Sequence, residues 1–118
     1  MENKRATGTA YEKKAAEYLK ENGYDIIECN FRCRYGEIDI IAKDEKTLVF
    51  AEVKYRSSLR YGMPYEAVNR GKQRKIMLTA EYYRMKNNVS ANINCRFDVI
   101  SILGNEIEHI KNAFGGWS

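Results

Sequence analysis

Apolar residues recur at helical spacing along residues 6–22. Tyr11, Ala15, Tyr18 and Leu19 fall at i, i+4, i+7 and i+8 and form one stripe. Thr7 or Thr9 is expected to cap the start of this helix, and Gly23 to end it. The pattern then shifts to strand. Residues 25–34 read as one strand, with Tyr24, Ile26, Ile27 and Phe31 as its apolar content, and residues 36–43 and 47–55 follow as two more. A second helix is predicted over 69–86, with Ile76, Ala80 and Tyr83 on one stripe and Leu78 and Tyr82 beside it. Strands over 96–102 and 106–110 flank a Gly104-Asn105 turn. The order helix, three strands, helix, two strands predicts an α/β fold, with a mixed β-sheet of about five strands flanked by α-helices. A chain of 118 residues suits a single domain, 1–118.

Two of the predicted strands carry charge where apolar residues would suffice. Gly36-Glu37-Ile38-Asp39-Ile40-Ile41 is followed, after Lys43-Asp44-Glu45-Lys46-Thr47, by Phe50-Ala51-Glu52-Val53-Lys54. Burying charge in a sheet costs free energy unless the charges are paired or hold a metal. A hairpin with a loop over 44–47 sets Lys43 opposite Leu48, Ile41 opposite Phe50, Asp39 opposite Glu52 and Glu37 opposite Lys54. Alternation then gathers the acids and Lys54 on one face. It leaves Ile38, Ile40 and Ala42 with Val49, Ala51 and Val53 as an aliphatic wall on the other. A register slip of one residue would put acids against that wall.

Opposed carboxylates repel: at ~4 Å and an effective dielectric of about 20 the cost is roughly 4 kcal/mol. One is protonated, or a cation sits between them. An all-oxygen donor set suits Mg²⁺ or Mn²⁺ rather than zinc. The alternative is a Glu37–Lys54 cross-strand ion pair, with Asp39 and Glu52 solvated at a sheet edge. Glu12, one residue off the first helix's apolar stripe, reads either as an acid favoured by the helix dipole or as a fourth acid leaning toward the site.

The net charge of +4 is mild, but the bases cluster: Arg56, Arg60, Arg70, Lys72, Arg74, Lys75, Arg84 and Lys86 follow the acidic pair of strands. A basic surface beside an acidic site is what a metal-dependent enzyme acting on a polyanion requires. A solvated helix face accounts for the same run. Arg56, Arg60, Tyr61 and Tyr65 lie in an expected loop over 56–69 and are able to contact phosphates and stack on bases. Arg70, Lys72 and Arg74 sit at the start of a helix, where cations oppose the dipole, so an anion such as phosphate is expected there. Cys29, Cys33 and Cys95 are expected as free thiols, and His109 as a surface or packing residue. No stretch is long and apolar enough to span a membrane, and the Met-Glu-Asn-Lys-Arg start has no signal-peptide apolar region. The expectation is a cytoplasmic protein.

Asp39 followed by Glu52-Val53-Lys54 resembles the PD-(D/E)xK nuclease signature, with Ile38 in place of its proline. The wider set is more specific. Gly8 and Glu12 with Ala15, Asn30 with Arg32, Gly36-Glu37-Ile38-Asp39, Val49-Phe50 before Glu52-Val53-Lys54 and Arg56, Lys72-Gln73, and Arg96-Phe97-Asp98-Val99 together resemble the bacterial YraN-like family over nearly the whole chain. That resemblance implies a restriction-endonuclease-like core, similar to that of archaeal Holliday-junction resolvases. It implies metal binding by Asp39 and Glu52, and a catalytic set of Glu12, Asp39, Glu52 and Lys54, with Lys54 positioning or activating the attacking water. Glu37 and Gln73 are supporting candidates. Arg56, Arg60, Arg70, Lys72 and Arg74 are candidates for nucleic-acid contact. The activity implied is a Mg²⁺- or Mn²⁺-dependent endonuclease hydrolysing phosphodiester bonds of branched or damaged DNA. Resolvases make two cuts from two sites, which implies a homodimer. The alternatives are a nucleic-acid-binding domain that keeps the fold with little turnover, and a purely structural α/β domain.

Overall fold

The computed structural model describes residues 4–56 and 68–115, with side chains described for 10–55 and 68–115. In chain order the elements are α1 (Lys4–Glu21), β1 (Asp25–Cys33), β2 (Gly36–Asp44), β3 (Thr47–Arg56), α2 (Arg70–Lys86), β4 (Cys95–Leu103) and β5 (Glu106–Phe114). The strands form one sheet in the order β1-β2-β3-β4-β5. β3 and β4 pair in parallel and the other neighbours are antiparallel. A parallel pair needs a crossover connection, and α2 lies between these two strands in the chain. The mixed α/β architecture expected from the sequence is therefore present.

The element ends follow local chemistry. α1 begins at Lys4, so Thr7 and Thr9 lie inside the helix rather than capping it; Lys4, Arg5 and Ala6 extend the helical run toward the N-terminus. Gly23 adopts φ +88°, which lets the Tyr24 N–H reach the Leu19 carbonyl at 3.0 Å and closes the helix. Asn69 caps α2, its side chain accepting from the Lys72 N–H at 2.9 Å. The β2–β3 turn is tighter than expected. Asp44 pairs with Thr47, leaving only Glu45 and Lys46 as the loop, with Glu45 at φ +55°. Tyr61, Pro64, Tyr65 and most of the expected loop lie outside the described residues.

The sheet is covered on both faces, which is why its central strands read as nearly continuous apolar runs. Ala15 and Leu19 of α1 cover Ile40, Ala42, Val49, Ala51, Ile100 and Ile102. Ile76, Ala80 and Tyr83 of α2 cover Phe31, Ile38, Ile41, Phe50 and Val99. One sequence expectation fails here. Ile38 was expected on the aliphatic wall with Ile40 and Ala42, but it packs on the α2 side with Ile41 and Phe50. The reason lies at one rung. β1 pairs Cys29 with Ile40 and Phe31 with Ile38, so Asn30 stands opposite Asp39. Asn30 is left-handed, at φ +56°, a conformation that asparagine tolerates better than most residues. Both strands change face across this rung, and Asp39 sits at the break.

Candidate active site

Pairing between β2 and β3 runs from Asp44↔Thr47 through Ile41↔Phe50 to Ile40↔Ala51, the register that the hairpin reading gives. Beyond Ile40 the side chain of Asp39 takes over: its Oδ2 accepts the Val53 N–H at 2.7 Å. The change of face at Asn30 and Asp39 and this side-chain bond lie together, and the acids gather at that point.

Three elements contribute. α1 supplies Glu12, β2 supplies Glu37 and Asp39, and β3 supplies Glu52 and Lys54. Carboxylate oxygens of Glu12, Glu37 and Asp39 lie within 4.8 Å of one another. The Tyr11 ring stacks on Tyr55 of β3 with centroids 3.7 Å apart and planes 18° apart, which fixes α1 over β3 beside Glu12. The Asn30 side chain lies beside Glu12 and favours its charged form. The residue that breaks the strand pattern thus also acts on the helix's acid. A cleft of about 170 Å³ opens on Glu37, Asp39, Glu52, Lys72, Lys75 and Ile76.

Glu52 is buried, and its Oε1 lies 3.2 Å from Lys54 Nζ and 2.8 Å from Lys72 Nζ. The Glu37–Lys54 ion pair of the alternative reading does not form. Glu37 pairs with Arg32 at 3.3 Å, and Lys54 pairs with Glu52 two residues away on its own strand. Alternation explains the second pair, since Glu52 and Lys54 share a face. Lys72 was expected as a phosphate contact, and here it is Glu52's nearest cation. Lys75, also in the basic run, lines the cleft, whereas the Gln73 side chain donates to the Val68 carbonyl at 3.0 Å and is not among the lining residues. Arg70 and Arg74 lie on the exposed surface of α2's first turns. Arg56 ends β3, and its side chain and the whole of Arg60 lie outside the described residues.

The electrostatics follow from this crowding. Burial, then the charge of Glu52, pushes the Asp39 carboxyl up to about 8, against the bond from Val53. Burial likewise raises Glu12, with Asn30 opposing and the charges of Glu37 and Glu52 adding to the rise. Lys54 is pushed down by burial and by neighbouring Lys72, with Glu52 only partly offsetting. Burial alone would lower Lys72 too, but its bond to Glu52 leads the effects that hold it above the ordinary lysine range. The two lysines sit on Glu52 and leave Asp39 without a cation, so its carboxyl keeps a proton below about pH 8. An all-oxygen cluster of crowded carboxyls fits a hard divalent cation such as Mg²⁺ or Mn²⁺, which would take the place of the proton.

A second buried charge lies on the α1 side of the sheet. Asp98, fully buried, accepts from Arg96 Nε at 2.9 Å, Arg96 Nη2 at 3.1 Å and the Asn112 N–H at 3.0 Å, and bonds His109 Nε2 at 2.7 Å. Arg96 also reaches Asp44 at 3.2 Å and the Tyr24 hydroxyl at 2.7 Å. Burial opposes the Asp98 charge, but the bonds from His109, Arg96 and Asn112 hold its carboxyl below the usual range. This network ties β4 and β5 to the end of α1 and makes His109 a packing residue. Among the described residues the three cysteines are free thiols, and no helix is long and apolar enough to cross a membrane.

Comparison with known proteins agrees with the resemblance in the motifs. A model of a family described as "Uncharacterised protein family UPF0102" matches residues 11–102. A "UPF0102 protein" of Lachnoclostridium phytofermentans is 49% identical over 115 residues, covering 98% of each chain. One of Persephonella marina is 50% identical over 107 residues, covering 91% of each. One of Caldicellulosiruptor saccharolyticus is 47% identical over 118 residues, covering 95% of this chain and 99% of its own. The family match spans the acids, both lysines on Glu52, and Arg96 with Asp98, and the chain belongs to the UPF0102 family, the YraN-like group that its motifs resemble.

Proposed function

We propose that this protein is a metal-dependent endonuclease that hydrolyses phosphodiester bonds of DNA, with branched or damaged DNA as its substrate. The observation that carries the reading is the convergence of Glu12, Glu37 and Asp39 within 4.8 Å, beside a buried Glu52 held by two lysines. Such crowding costs stability, and a fold with a purely structural role has no use for it.

A Mg²⁺ or Mn²⁺ bound by Asp39 and Glu52, with Glu12 completing the acidic site, would neutralise the phosphodiester and lower the pKa of an attacking water. The protein supplies the rest. Asp39 is fixed by Val53, and Asn30 beside Glu12 favours that acid's charged form, so part of the donor set is in place before substrate arrives. Lys54 lies against Glu52 with most of its side chain out of water, placed to position the water or to stabilise charge developing on the phosphoryl oxygens. Arg70, Lys72, Arg74 and Lys75 give the α2 edge of the cleft a positive charge that attracts the nucleic-acid backbone.

The test is cleavage of end-labelled four-way junction, flap, single-stranded and linear duplex DNA in Mg²⁺ and in Mn²⁺, with Glu52→Ala alongside. Structure-selective cutting lost in the variant supports the proposal. Salt-sensitive binding without cutting, unchanged by the variant, would instead make the protein a binding module with a nuclease fold.

A further inference from the structure

The two lysines on Glu52 are not equivalent. Both ammoniums lie against the same oxygen, Oε1, at 3.2 Å for Lys54 and 2.8 Å for Lys72. The Lys54 side chain is 19% exposed, and Lys72, from the first turn of α2, is 39% exposed and faces the open cleft with Glu37 and Asp39. α2 has no acid in its first turn, where the helix dipole favours one and opposes a lysine. Glu52 supplies that negative charge from the neighbouring strand.

We infer that Lys72 is an exchangeable counter-ion: it neutralises Glu52 while the acid site is free of divalent cation, yields Glu52 when the cation binds, and then holds the substrate phosphate. The inference rests on the metal-dependent reading of the same site. A dication on the Glu52 carboxylate repels both ammoniums, so its binding favours the release of one. Lys72 is the one that regains water most readily, and its flexible four-carbon stem keeps the released charge in the cleft. A phosphodiester at the cation then supplies the anion that Lys72 has lost. A merely structural strut between α2 and β3 would show none of this exchange.

Two measurements on the full chain test it. The first is Mn²⁺ titration without nucleic acid, followed by electron paramagnetic resonance of the free ion, for wild type, Lys72→Met and Lys72→Arg. Removing the competing charge should tighten Mn²⁺ binding by roughly fivefold in Lys72→Met, the scale of a partly exposed ion pair, and not in Lys72→Arg. The second needs no variant: mass-spectrometric footprinting of lysine acylation in wild type, with and without Mg²⁺. Lys72 labelling should rise on adding Mg²⁺ while Lys54 labelling does not. Mn²⁺ affinity unchanged or weaker in Lys72→Met, or Lys72 labelling indifferent to Mg²⁺, would overturn the inference alone. Wild-type protein that binds neither ion would bring down the metal-dependent reading with it.

Discussion

The Asp39 carboxylate accepts the Val53 N–H at 2.7 Å, so a side chain of β2 occupies a backbone donor of β3 just past their last paired rung. This bond holds the carboxylate where burial and Glu52 both disfavour its charge, and a hydrogen bond to Glu52 further favours the protonated form. The result is a carboxyl moved from 3.8 to about 8. Between those values the folded protein keeps a proton that the unfolded chain has lost. The associated stability is fully present below about pH 4 and is lost as pH rises through about 8.

Thermal melts from pH 5 to pH 9 should therefore show stability falling with pH in the absence of divalent cation. Asp39→Asn keeps an acceptor for Val53 without the charge. It should flatten that slope and melt roughly 5 °C above wild type at pH 9. Mg²⁺ or Mn²⁺ should raise the wild-type melting temperature at pH 9 and leave Asp39→Asn unmoved. Parallel pH profiles for the two proteins would remove the electrostatic account of Asp39.

Asn30 supports the site through its backbone as much as its side chain. At φ +56° a β-branched residue is strained, whereas glycine is not. Asn30→Val should lower stability by about 2 kcal/mol in urea unfolding, and Asn30→Gly by less than about 1 kcal/mol. Both lose the polar side chain beside Glu12, but only valine should disturb the rung that carries Asp39. Metal affinity should thus fall further in Asn30→Val than in Asn30→Gly, and equal losses would mean that the side chain beside Glu12, not the backbone, matters at this position.

Much of this was legible in the sequence, and the parts that were not have identifiable causes. Periodicity gave the element order, and the spacing between the two charged runs gave the register of β2 against β3. Alternation correctly put Phe50, Glu52 and Lys54 on one face and Val49, Ala51 and Val53 on the other. It failed at Ile38, because a single left-handed Asn30 in the partner strand changes face, and strand patterns carry no mark of that beyond an asparagine among apolar residues. The partners of Glu52 were half legible. Lys54 follows from a two-residue spacing within a strand, but Lys72 comes from a helix whose placement depends on the crossover. A lysine out of keeping with its helix dipole was the available signal, and it pointed to an anion without saying which. The partners of Asp98 were legible only in part, because Arg96 precedes it by two residues while His109 and Asn112 come from another strand.

That network makes a separate prediction. Asp98 is charged and buried, so removing it takes from Arg96 its closest carboxylate, leaving only Asp44 and Tyr24, and leaves His109 and the Asn112 N–H without their acceptor. Asp98→Ala should cost about 3–5 kcal/mol, the scale for breaking a buried ion pair. Its lowered carboxyl makes the sign opposite to that of Asp39: its stabilisation is present above the unfolded value of 3.8 and is lost as pH falls below it. Acid unfolding should be less steep in Asp98→Asn than in wild type, and metal affinity at pH 7.5 should not change while the variant remains folded. A large change in metal affinity would show that the network reaches the acid site after all.

Lys54 offers the sharpest separation of chemistry from folding. Glu52 has two cations, so Lys54→Ala leaves the buried carboxylate paired with Lys72 at 2.8 Å. The stability cost should be about 1 kcal/mol, as for a partly exposed pair. Glu52→Ala instead leaves two neighbouring ammoniums without their shared anion, and should cost more, about 2 kcal/mol, yet both proteins should remain folded at 25 °C. Cleavage should respond in a different proportion. If Lys54 acts on the water or on developing phosphoryl charge, its loss should slow single-turnover cleavage by about 10²–10³-fold, far beyond what its stability cost accounts for. Glu52→Ala should abolish metal-dependent cleavage. Variants that fold and cut DNA at the wild-type rate would remove both residues from the chemistry and leave the acidic cluster without its nuclease reading.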